Sequence, residues 1–180
     1  IKNIPKRFDT NSQKSDFQAL VLKDVVYSYP ESTKPALNKI TLEILSGESI
    51  GFIGASGSGK TTLIDVFLVL LNIQEGRLSL NGNDLVDCLA TWRSQVAYLP
   101  QQIFIIDDTL RKNIALGVDD DEIDDEKVER ALSQAFLSEV VAELPYGIRT
   151  RLGERGLRLS GGQRQRVALA RAFYHGRSVL

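Results

Sequence analysis

Apolar positions change their spacing several times along this chain. Leu20, Leu22, Val25 and Tyr27 lie in a β-rich stretch that opens at Ala19 and closes at Tyr29-Pro30, which predicts a strand. From Leu37 to Leu45 the pattern alternates again, with Ile40, Leu42 and Ile44 between polar partners, and Ser46-Gly47-Glu48 reads as a turn. Residues 49–53 then predict a short buried strand. Residues 60–71 are apolar nearly all round, as in a helix buried on several sides. Further strands are predicted over 77–80 and 95–99. Between 109 and 144 the period is helical: Val128, Ala131, Leu132, Ala135 and Val140 recur at three- and four-residue steps until Pro145-Tyr146-Gly147 ends the run. A last helix is predicted over 164–175. Strands, then a helical insertion, then strand and helix again point to an α/β core with a separate helical lobe. No internal repeat is visible. Residues 1–18 carry few apolar anchors and read as a linker or arm; a juxtamembrane basic segment is the alternative.

Composition narrows this picture. The 180 residues carry 22 basic and 23 acidic side chains, a net charge of −1, and 43% are hydrophobic. Those proportions are globular, and a chain of this length buries roughly 70% of the surface its unfolded form exposes. The charge balance argues against a nucleic-acid binder working through bulk basicity. A lone cysteine, Cys88, rules out an internal disulfide framework. No apolar run approaches the roughly 18 residues of a membrane span, and no signal peptide is expected. The chain starts at Ile1, has no methionine and stops in a stretch that reads as a strand, so a piece of a longer protein is expected.

The chemistry concentrates at two glycine motifs. Gly54-Ala55-Ser56-Gly57-Ser58-Gly59-Lys60-Thr61 satisfies G-x-x-x-x-G-K-[ST], between a predicted strand and a predicted helix. Glycines let the backbone curl its N–H groups around phosphate oxygens, and the helix N-terminus adds favourable partial charge. Lys60 can reach the terminal phosphates, and the Thr61 hydroxyl can ligate Mg²⁺; Thr62 completes the predicted ATP-contacting run. The glycine spacing does not fit the dinucleotide fingerprint G-x-G-x-x-G. The second motif is Leu159-Ser160-Gly161-Gly162-Gln163, followed by Arg164-Gln165-Arg166 and a helix. Ser160 is a natural N-cap, and the glycines give backbone access at another helix N-terminus. On physics alone this is either a second anion site or simply a capped helix start.

Together the two motifs resemble the nucleotide-binding domain of ABC transporters, from about residue 21 to residue 180. Leu159 to Gln163 matches that family's LSGGQ signature. Gly153-Glu154-Arg155-Gly156 is similar to the exporters' X-loop, and Thr109 to Ile114 also resembles their sequences. The resemblance implies a P-loop NTPase core with an antiparallel β subdomain and an inserted α-helical subdomain. The organisation it implies is an arm over 1–18, a nucleotide-binding core over 19–98, a Q-loop and helical subdomain over 99–163, and a return to the core over 164–180. It implies ATP and Mg²⁺ as ligands. Tyr29, otherwise an ordinary strand-end tyrosine, would stack on adenine, and Gln101 would be the Q-loop glutamine contacting Mg²⁺ and the attacking water, with Gln102 the weaker candidate. Ser160, Gly161, Gly162 and Gln163 would act in trans, facing the γ-phosphate held by Lys60 of a second nucleotide-binding domain in a head-to-tail dimer. The implied partner is a transmembrane domain in the same parent chain, at the cytoplasmic face of a membrane; no nucleic acid is expected. The alternatives are a soluble ABC-class ATPase acting on nucleic acid or ribosomes, and a nucleotide-binding module without hydrolysis.

The family's Walker B carboxylates and H-loop histidine are not among the 180 residues, so this chain is expected to bind nucleotide without the general base for hydrolysis. His175, the only histidine, reads as a helix-end residue. The stretch between Gly82 and Arg93 is one residue shorter than is usual in exporters. Val69 stands where the family often has glycine, which reads as a packing variation. The acidic run Asp119 to Glu126 lacks calcium-loop spacing and reads as a solvated, acid-capped helix start. Cys88 and Trp92 are expected to pack, and Arg93, Arg151 and Arg158 to be surface or interface charges.

Overall fold

The computed structural model describes residues 16–153 and 159–180. These fall into two compact units, divided between Gln95 and Val96.

The first unit is built on an antiparallel sheet. β1 (Ala19–Tyr27) pairs with β2 (Leu37–Leu45) on one side and β3 (Glu75–Leu80) on the other, and β4 (Asn83–Asp84) continues from β3, giving the order β2-β1-β3-β4. The turn from β3 to β4 is Asn81-Gly82, both with positive φ (50° and 84°), the primed geometry that matches strand twist. Alternation in β1 buries Leu20, Leu22, Val25 and Tyr27, as its pattern predicts. The helix α1 (Lys60–Phe67) buries Leu63, Val66 and Phe67. α2 (Leu89–Gln95) was not legible as a helix in the pattern; it buries Trp92, whose indole Nε1 donates to the Phe67 carbonyl at 2.7 Å. Phe17 is buried too, its ring 6.1 Å from that of Trp92.

Three expectations fail here. Residues 49–53 do not form a strand: no described residue hydrogen-bonds alongside them, and Ile53 is fully exposed. A strand needs a neighbour for its backbone groups, and its own sequence does not supply one. The helix from Lys60 stops at Phe67 instead of reaching residue 71, and Leu70 is largely exposed. The reason is Val69, whose φ is +53°. Its N–H bonds the Val66 carbonyl at 3.0 Å and that of Leu70 bonds the Asp65 carbonyl at 2.9 Å, a Schellman stop. Val69 is therefore a backbone position suited to glycine, not a packing variation.

The second unit is mainly helical: α3 (Leu110–Ile114), α4 (Asp125–Gln134), α5 (Ser138–Glu143) and α6 (Gly161–Tyr174), with single 3₁₀ turns at Asp120–Glu122 and Gly147–Arg149. Its core gathers Leu110, Ile114, Val128, Leu132, Leu137, Leu152 and Val167. The strand predicted over 95–99 is reduced to a single parallel bridge, Val96 with Val179. Arg111 ties α3 to α4 by ion pairs with Asp120 and Asp125, and Arg149 reaches Asp125 at 3.0 Å. Asp124 caps α4, accepting from the Lys127 N–H at 2.9 Å, so the acidic run is a capped and ion-paired helix start. Among the described residues no helix is long and apolar enough to cross a membrane.

Candidate nucleotide site

The first unit brings together most of the residues that the phosphate-loop motif singles out. Gly57 and Gly59 both have positive φ, 79° and 88°. Gly59 is doubly constrained, because a Cβ there would lie 2.5 Å from the Ala36 carbonyl oxygen. Any side chain would force the loop away from the segment that enters β2. At Gly54 a Cβ would meet the Ser58 hydroxyl at 2.6 Å. The loop turns at Ser56 and Gly57, with the Ser58 N–H donating to the Ala55 carbonyl at 3.2 Å. It then delivers Gly59 as the N-cap of α1.

Glycine has no side chain, so no side-chain oxygen caps α1. Its first N–H groups carry the partial positive charge of a helix start. Lys60 adds a full charge: its Nζ donates to the carbonyls of Gly54 and Ala55, both at 2.8 Å, and to Ser58 Oγ at 3.3 Å. The ammonium is thus held over the same loop whose N–H groups stand uncapped. Such an arrangement suits phosphate oxygens. Thr61, next on α1, is exposed and offers a hydroxyl oxygen, the hard donor type that Mg²⁺ takes alongside phosphates. Among the described residues no group of three or more His, Cys, Asp or Glu is placed to hold a metal unaided.

Tyr29 belongs to this neighbourhood. Its hydroxyl lies 3.0 Å from Thr62 Oγ1, its ring packs edge-on against Tyr27 at 5.1 Å, and 44% of the residue remains exposed. Thr62 itself is buried.

In the second unit, Gln101 and Gln102 are both exposed, in a bend after Val96. Ser160 caps α6 in a full capping box: its Oγ accepts from the Gln163 N–H at 3.2 Å, and Gln163 Oε1 accepts from the Ser160 N–H at 2.7 Å. Each side chain is therefore engaged by the other residue's backbone N–H. Gly161 and Gly162 are exposed, and a Cβ on Gly162 would meet nothing within 4 Å. Among the described residues, no packing contact requires glycine at position 162. Of the predicted X-loop, Gly153 is described, whereas Glu154, Arg155 and Gly156 lie outside the described residues, as does Arg158. His175 is the C-cap of α6.

Sequence reasoning passed over two residues that hold these segments. Gln74 makes a two-way amide bridge to the backbone of Ser28, beside Tyr29. Asn113, fully buried, bonds Ile106 and Thr109 and receives Arg171. A lone amide in a polar stretch carries no periodic signal, so neither was findable from pattern.

Comparison with known proteins gives a consistent answer. A family model described as ABC transporter matches residues 37–180. The ATP-dependent lipid A-core flippase of Cupriavidus pinatubonensis is 42% identical over 163 residues, covering 89% of this chain and 28% of the relative. The flippase of Vibrio cholerae is 38% identical over 160 residues, 88% of this chain and 27% of the relative. Among solved structures, a bacterial Atm1-family ABC exporter with ATP bound superposes with a TM-score of 0.80 at 31% identity, covering 90% of this chain and 28% of that one. The chain thus spans under a third of the length of each of these three proteins.

Proposed function

The chain belongs to the ABC transporter family, and from that premise we propose that it is the ATP-binding domain of an exporter. In this reading ATP lies with its adenine against Tyr29 and its phosphates in the loop from Gly54 to Thr62. The observation that carries it is the uncapped N-terminus of α1 with the Lys60 ammonium held over the same loop. Mg²⁺, supplied with the nucleotide, neutralises phosphate charge; Thr61 and Gln101 are the residues proposed to hold it. ATP hydrolysis, like transport, is an activity of the whole protein.

Ser160, Gly161, Gly162 and Gln163 are proposed to face the terminal phosphate bound to a second copy of the domain. The surroundings of Gly162 support this, since a position where a Cβ meets no described residue within 4 Å admits the close approach of another molecule. Dimer closure on ATP and opening after hydrolysis would drive a transmembrane domain, placing this domain at the cytoplasmic face of a membrane. The substrate belongs to that membrane domain.

The test is complementation in the intact protein reconstituted in lipid vesicles. Lys60→Ala breaks the phosphate loop and Gly162→Asp the signature, where a Cβ meets no described residue within 4 Å. If the composite site forms in trans, each variant alone loses Mg²⁺-dependent hydrolysis, and co-assembled protomers recover part of it. No recovery on mixing would overturn the head-to-tail site.

A further inference from the structure

Tyr29 sits on an exposed connection between β1 and β2, a poor place from which to present a ring in one fixed position. Three contacts nevertheless hold it. Its hydroxyl hydrogen-bonds Thr62 Oγ1 at 3.0 Å, from the buried side of the first turn of α1. Gln74, on the segment that enters β3, grips the residue before it: Gln74 Oε1 accepts from the Ser28 N–H at 2.6 Å, and Gln74 Nε2 donates to the Ser28 carbonyl at 2.8 Å. The return of the connection is held at Ala36, whose N–H bonds the Tyr27 carbonyl at 2.8 Å and whose own carbonyl abuts Gly59.

We propose that Gln74 and Thr62 are positioning residues that preset the Tyr29 ring for the base of the nucleotide. This rests on the ATP-binding reading above. Gln74 acts through the main chain of Ser28, reproducing with one amide both bonds that a paired strand residue would supply. Thr62 acts through the phenol and sits in the phosphate loop itself, so the base platform and the phosphate loop move as one body. Fixing a ring before the ligand arrives removes an ordering cost from binding. Gln74 is exposed and lies outside both motifs, and among the described residues its side chain bonds only the backbone of Ser28, which marks the role.

The test separates base from phosphate by comparing ATP with inorganic tripolyphosphate, titrated calorimetrically into the intact protein and its variants. Gln74→Ala and Tyr29→Phe, which deletes the bond to Thr62 but keeps the ring, should each weaken ATP roughly 2- to 12-fold, the range for one net hydrogen bond. Tripolyphosphate binding should stay within about twofold, since neither variant replaces a residue of the phosphate loop. In a Tyr29→Ala background, Gln74→Ala should cost nothing more. Unchanged ATP binding in both variants, equal loss of both ligands, or a full Gln74→Ala penalty without the ring would each overturn the proposal. If the unsubstituted protein binds neither ligand, it is the ATP-binding reading that fails, and this proposal falls with it.

Discussion

Arg171 on α6 donates through Nε to the main-chain oxygen of Asn113, at 2.6 Å, and through Nη2 to its side-chain oxygen, at 2.9 Å. A third bond, Nη1 to the Phe104 carbonyl at 2.7 Å, completes the fork. Three neutral oxygens, with no carboxylate among them, thus hold a partly buried guanidinium, and burial pulls its pKa down from the usual arginine value. The helix that begins at Ser160 is in this way tied to α3 and to the segment that follows Gln101.

Truncating this fork should be costly. Arg171→Ala removes three charge-assisted bonds and deprives the buried Asn113 of its guanidinium donor, so the urea midpoint should fall by the equivalent of about 2–3 kcal/mol. Arg171→Lys should recover only part, because an ammonium cannot reproduce the planar fork. Full recovery by lysine would mean that charge alone matters there.

At the end of α1 the sequence works against the backbone. Val69 holds a β-branched side chain at φ +53°, where such residues are strained. Val69→Gly should therefore stabilise the protein by roughly 1 kcal/mol, the relief of one left-handed residue set against glycine's extra chain entropy. Thermal unfolding reads this as a higher midpoint; a lower one would show that valine's packing outweighs its strain.

His175 makes stability depend on pH. Burial lowers its pKa first, the charges of Arg177, Lys127 and Arg171 push the same way, and a backbone bond at Leu116 opposes them. The unfolded chain takes up this proton near pH 6.5, while the folded chain resists until lower pH. The contribution to stability is therefore full above about pH 6.5 and is lost as pH falls through the folded pKa. His175→Gln should flatten the difference between urea midpoints at pH 7.5 and pH 5.5. An unchanged difference would assign the dependence to other groups.

Local chemistry was legible in the sequence wherever it depended on local pattern. The strands Ala19–Tyr27 and Leu37–Leu45, the cap at Ser160, the phosphate loop and the acid-capped start of α4 all follow from residues close together in the chain. Residues 49–53 failed because a strand is a property of two segments, and apolar content says nothing about the neighbour. Val69 was misread because its effect lies in φ, which hydropathy does not register. Asn81-Gly82, by contrast, was a readable hairpin signal that was passed over in favour of apolar spacing. Gln74 and Asn113 act through single hydrogen bonds to distant backbone, and no periodicity marks such residues.

Phosphate binding by the loop from Gly54 to Thr62, with Lys60 over it, underlies the proposed function. Its most direct test is calorimetric titration of ATP into the protein and into Lys60→Ala. Saturable binding that weakens roughly 10- to 150-fold on substitution, as expected for the loss of charge-assisted bonds, is the predicted result. Absence of ATP binding, or the same affinity in Lys60→Ala, would contradict it.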